Sequence, residues 1–202
     1  MSWMKPLIDR ILKDQFLDWN GLHGLSHWGR VYENGMRLCD ESAANRHVVE
    51  LFAFFHDSRR FNDGTDLDHG KRGGEYAKKL RGELFELNDD EFELLYVACR
   101  DHTKGMTEAD ITIQTCWDSD RLDLGRVGIT PAVNRLCTAA AKTKSIRNRA
   151  NDRVCERVGS LFRISQSRIC GDAQPKKTPD PFHRTTLFTE IVDDTRTCSD
   201  FG

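Results

Sequence analysis

The chain has 202 residues, of which 38% are hydrophobic and 31% charged, a length and balance that suit one soluble domain with a real core and exclude a disordered charged polymer. Thirty Lys and Arg against thirty-two Asp and Glu leave a net charge of −2, so no strong electrostatic hold on nucleic acid or an anionic membrane is expected.

The spacing predicts an almost wholly helical chain. Leu12, Phe16 and Trp19, flanked by Leu7, Ile8 and Ile11, give an amphipathic first helix interrupted by Gly21 and Gly24. A second helix is expected from Ser26, read as its cap, to about Cys39. VVELFAFF, Val48 to Phe55, is apolar on every side and without alternation, which favours a buried central helix. After the loop RRFNDGTD, helices are expected from Leu67 to Phe85 and from Asn88 onward. Ile113, Trp117, Asp120 and Leu124 fall on one side of the next, and Pro131 opens a long final helix through AVNRLCTAAAKTK. Residues 163–202 hold three of the five prolines in a polar string, and read as a loosely ordered extension of a domain spanning residues 1–162.

No uncharged apolar run approaches the roughly 18 residues of a membrane span, and the charged start MSWMKPLIDRILKDQF does not read as a signal peptide. The seven cysteines are odd in number, scattered and without a CxxC pair. They suit a reduced, cytoplasmic setting rather than a disulfide framework or zinc ribbon.

Six of the seven histidines fall within the first 102 residues. His27 opens the second helix, His56-Asp57 closes the buried third, His102 ends another, and Asp120 lies in WDSDRLDLG. Each adjoins strongly apolar helix surface, so each can face a common centre between helices, where bundles build metal sites. An acid beside an imidazole at the end of an apolar helix is costly to bury unless paired or metal-bound. Asp118 and Asp123 read as solvent-facing charges, and Trp28 and Tyr32 as core residues or as platforms for a base.

In order, these residues resemble the H…HD…D pattern of the HD-domain metal-dependent phosphohydrolase superfamily over residues 20–130. HGLSH, from His23 to His27, resembles the family's first motif, FFHD its second, and SDRLD around Asp120 its fourth. The resemblance implies an all-α HD-domain bundle with the metal site between central helices. His27, His56, Asp57 and Asp120 would hold a divalent ion, one of Mn, Fe, Co, Ni, Zn or Mg. Two-metal relatives add two histidines between the HD pair and the last Asp, and let the HD aspartate bridge. His69 and His102 stand in that order here. They would hold a second ion or contact substrate.

Asp57, and more weakly Asp63 on the loop after it, are the catalytic candidates. His23, Arg30, Arg60, Lys71, Arg72, Lys104 and Arg121 are candidates for meeting phosphate charge. The implied activity is hydrolysis of a phosphate ester or anhydride in a nucleotide-like small molecule. The alternatives are a cyclic nucleotide or dinucleotide phosphodiesterase, a di-iron oxygenase of the same ligand set, and a non-catalytic metal-dependent scaffold. The chain lacks the GYP-type extension of the cyclic-dinucleotide subgroup.

Overall fold

A computed structural model describes residues 3–153. The boundary at residue 162 and the extension over 163–202 lie outside the described residues. The elements in order are α1 (Met4–Asp14), α2 (Leu25–Asp40), α3 (Arg46–Phe55), α4 (His69–Leu80), α5 (Asp89–Asp101), α6 (Ile111–Arg121) and α7 (Ala139–Lys142). Tight 3-10 turns occupy Leu124–Val127 and Val133–Arg135, residues 144–153 are again helical, and the described residues contain no β-strand.

The apolar run does form the central helix. Asn45 starts α3 by accepting from the His47 and Val48 backbone N–H groups at 3.1 and 3.2 Å. From Val48 to Phe55 every residue is buried, because α3 packs against α2, α4, α5 and α6 together. Two glycines bring α4 against this centre. A Cβ at Gly73 would lie 2.3 Å from the Phe55 carbonyl oxygen, and one at Gly70 would lie 2.1 Å from the Cys99 carbonyl oxygen. No side chain fits at either position. An Asn88–Glu91 capping box opens α5, and the Trp117 indole of α6 donates to the Ala98 carbonyl of α5 at 3.1 Å.

Several element boundaries differ from the sequence reading. α1 stops at Asp14, whose carbonyl accepts from the Arg59 guanidinium. Phe16 therefore leaves the helical face and lies 59% exposed, while Trp19 enters the core from the following loop. The cap of α2 is Gly24 rather than Ser26. The fourth helix is shorter than Leu67 to Phe85, since Leu67 is exposed ahead of it and the chain turns at Gly82 with φ +81°.

The long helix from Pro131 does not form. The Cys137 and Thr138 backbone N–H groups donate to the Asp118 carboxylate at 2.8 and 2.7 Å, and the Thr138 hydroxyl donates to it at 2.8 Å. Thr138 then caps the short α7. Asp118 is accordingly fully buried, not solvent-facing, and it pins this segment over a small apolar cluster that includes Leu38, Leu122 and Leu136.

Candidate metal centre

Four histidines come from the ends of four different helices. His27, in the first turn of α2, donates Nδ1–H to Asp123 Oδ2 at 2.7 Å. His56, just past α3, donates to the Phe52 carbonyl at 3.1 Å, and His102, just past α5, to the Cys99 carbonyl at 2.7 Å. His69, opening α4, donates to the Asp66 carbonyl. An imidazole whose proton is fixed on Nδ1 presents a lone pair at Nε2. All four Nε2 atoms turn inward. The His27 and His56 Nε2 atoms are 3.0 Å apart, and so are those of His69 and His102. Facing lone pairs repel unless a cation or proton lies between them. Two nitrogens about 2.1 Å from one ion and at right angles would be about 3.0 Å apart.

Asp57 joins the two pairs. Its Oδ2 lies 3.4 Å from His27 Nε2 and 3.6 Å from His56 Nε2, and its Oδ1 lies 3.1 Å from His69 Nε2 and 3.6 Å from His102 Nε2. Among the described residues these form two possible metal-holding groups, His27/His56/Asp57 and Asp57/His69/His102, sharing the aspartate. Asp120, from α6, brings Oδ1 to 3.5 Å from His27 Nε2 and 3.8 Å from His56 Nε2. That buried oxygen has no hydrogen-bond partner among the described residues, an arrangement that is costly without a cation. The donor chemistry therefore fits one or two divalent ions, with imidazole and carboxylate ligands.

Burial alone would raise the Asp57 carboxyl, but the four surrounding imidazoles hold it well below the usual carboxylate range. Asp120 is likewise lowered against its burial by His56, Arg126, His27 and His102. Burial pushes His56 down to about 3. For His27 and His102 burial acts the same way, but the carboxylates around them outweigh it and leave both raised. The lowered carboxylates and the lowered His56 suit a cation, whereas the raised His27 and His102 would release their protons on binding one.

No protein-family model matches the chain, and no curated protein matches it. A solved structure does: a predicted HD superfamily hydrolase from an uncultured Thermotogales bacterium, 26% identical, with a TM-score of 0.55 over 80% of this chain and 91% of that one. The chain has the fold of the HD superfamily. The likeness, together with the His/Asp groups, supports a metal-dependent hydrolase in general.

Around the HD centre, the other sequence candidates separate. Arg60 stays at the site: its Nη1 reaches Asp57 Oδ1 at 3.4 Å and His69 Nε2 at 3.2 Å, while Nε and Nη2 hold the Asn62 and Gly64 carbonyls of the loop. His23 lies at the edge, its ring centroid 6.2 Å from that of His27, with Nδ1 on Asp63 Oδ1 at 2.7 Å. Burial lowers its pKa.

Four basic candidates are engaged elsewhere. Arg30 places two bonds on Asp123 at 2.5 and 3.0 Å. Arg72 pairs with Asp66 and lies over the Phe61 ring. Lys104 is exposed and pairs with Asp101 at 2.7 Å. Arg121 donates to the Arg135 and Met106 carbonyls at 2.8 and 2.6 Å, so it fastens the chain after α6 and does not face phosphate. Lys71 is exposed on α4. Trp28 and Tyr32 are core residues, buried and unavailable to stack on a base.

Two residues of the HD centre were not read from the sequence. Asp123, expected in solvent, is 1% exposed and fixes His27 from behind. Arg126, in the 3-10 turn after α6, brings Nη1 to 3.9 Å from Asp120 Oδ1. Both belong to the same WDSDRLDLGR stretch as Asp120, and their proximity to that candidate was the available clue.

Proposed function

We propose that this HD-domain protein is a metal-dependent phosphohydrolase acting on a phosphate ester or anhydride of a small, nucleotide-like molecule. The observation that carries the reading is the convergence of four Nε2 lone pairs on two carboxylates, with Asp57 placed to serve both groups. His27, His56, Asp57 and Asp120 would hold one ion, and His69 and His102, with Asp57, a second.

A divalent ion bound there supplies a Lewis acid for a phosphoryl oxygen and lowers the pKa of a bound water. The protein's own groups do the rest. The outward Nδ1–H bonds of the four histidines keep their Nε2 atoms fixed. Arg60 adds positive charge beside Asp57 and His69. His23, tied to Asp63, is placed at the edge to hold or pass a proton as the leaving group departs. A cytoplasmic setting belongs to the same proposal, supported by the free thiols Cys39, Cys99, Cys116 and Cys137. No helix among the described residues is long and apolar enough to cross a membrane.

The test is phosphate release from a panel of nucleoside mono-, di- and triphosphates and cyclic nucleotides by manganese-loaded protein, with metal content measured alongside. Turnover that is lost on chelation, restored by metal and absent in His56→Gln is expected. Oxygen uptake by iron-loaded protein, without phosphate release from any of the panel, would replace the reading with an oxygenase, because the same donor set suits paired iron.

A further inference from the structure

We propose that Arg126 is a substrate-binding residue that takes a phosphoryl oxygen on the Asp120 side of the centre, an inference that rests on the phosphohydrolase reading. Its side chain is only 10% exposed. A guanidinium carries five N–H donors and is costly to bury unsatisfied. Yet one hydrogen bond, from Nη1 to the Asp123 carbonyl at 3.3 Å, is all that it makes among the described residues, and its buried Nε has no partner.

A purely structural role does not account for this. The nearby carboxylates lie past hydrogen-bond reach, Asp120 Oδ1 at 3.9 Å and Asp123 Oδ2 at 3.8 Å, whereas a committed Arg–carboxylate pair closes to about 2.7–2.9 Å. Asp123 is already taken by Arg30 on both oxygens and by His27. Asp120 Oδ1 itself faces the His27 and His56 nitrogens, where an ion would sit. The Arg126 donors are therefore close to the centre, held in place and free to accept a ligand. A tetrahedral anion bridging from the ion to the guanidinium matches the fork of donors. Arg60 stands beside Asp57 Oδ1 and His69, so the two buried arginines bracket the row of ligands from the Asp120 and His69 ends.

Calorimetric titration of manganese-loaded protein with inorganic phosphate and with pyrophosphate tests the assignment, with metal content measured on every sample. Arg126→Gln should weaken binding about tenfold to a hundredfold and leave metal content unchanged. Arg126→Lys, which keeps the charge and loses the fork, should fall between it and the parent; it also guards against a Gln variant that does not fold. Lys104→Gln, at an exposed lysine paired with Asp101, should match the parent. Parent-like phosphate binding in both Arg126 variants would overturn the inference and leave the hydrolase reading standing. Loss of metal in Arg126→Lys would overturn it too, by making the arginine a prop for Asp120. A metal-loaded parent that binds neither anion would fail the phosphohydrolase reading itself, and the inference with it.

Discussion

Replacing Asp123 by Asn should weaken metal binding although Asp123 touches no ion. Its carboxylate accepts from His27 Nδ1 at 2.7 Å and from the Arg30 guanidinium at 2.5 and 3.0 Å. An amide has one acceptor oxygen. Arg30 has only donors to offer, so the amide oxygen turns to it and the NH2 group turns to His27. His27 must then accept at Nδ1 and carry its proton on Nε2, the atom that faces His56, Asp57 and Asp120. A ligand with its lone pair on the wrong side must change tautomer before it can bind. Loss of such an outer partner costs about 10- to 100-fold in metal affinity, equivalent to about 1.4–2.8 kcal/mol. Asp118→Asn is the matched control. That aspartate is equally buried, but its bonds go to Cys137 and Thr138, so it should lower the melting temperature and spare affinity. Chelator competition with a colorimetric indicator reads both. If Asp123→Asn stays within twofold of the parent, or both variants lose affinity alike, the tautomer argument is refuted.

His69→Ala and His102→Ala should each remove one ion per chain while the His27/His56/Asp57 group keeps its own; elemental analysis at saturating manganese decides, and unchanged stoichiometry would assign both histidines to substrate. Gly73→Ala places a Cβ 2.3 Å from the Phe55 carbonyl oxygen, so backbone must move, and this outweighs the roughly 1 kcal/mol helix preference for alanine. A net loss of roughly 1–2 kcal/mol is expected in urea unfolding. In the metal-free protein the contribution of His56 to stability should be lost as pH falls from 6.5 toward 3, opposite in sign to the contributions of the raised His27 and His102. Buried His56 resists protonation until about 3, whereas the unfolded chain takes up that proton near the ordinary 6.5. Urea midpoints at pH 7 and pH 5 for the parent and for His56→Gln measure it, and a parent that loses no more than the variant on going to pH 5 would contradict the sign.

The central helix and the helix ends that carry the clustered histidines were legible because each is written locally. VVELFAFF is apolar all round, and His56-Asp57 sits where that run stops. What escaped was set by distant partners. Asp123 is buried by Arg30 and His27 from α2, more than ninety positions away. Asp118 is buried by Thr138, and the same contact removes the backbone donors that a helix from Pro131 would have needed. Charge patterning along one helix reports exposure only when no buried counter-charge waits opposite, and the sequence does not say which do. The two arginines at and just past the end of α6 follow the same rule. Arg121 and Arg126 flank one turn of chain, yet one fastens carbonyls and the other faces the ligands.

The position of α3 at the hub of four other helices ties the site to the cooperativity of the whole domain. No small excursion can expose its amides, so their hydrogen exchange should proceed only through global opening, while the ends of α1 and α7 exchange by fraying. His56 and Asp57 hang from the last turn of that slowest-opening element. Any ion they hold binds the native state and not the unfolded chain, so each tenfold excess of free ion over its dissociation constant deepens the stability of the entire fold by about 1.4 kcal/mol.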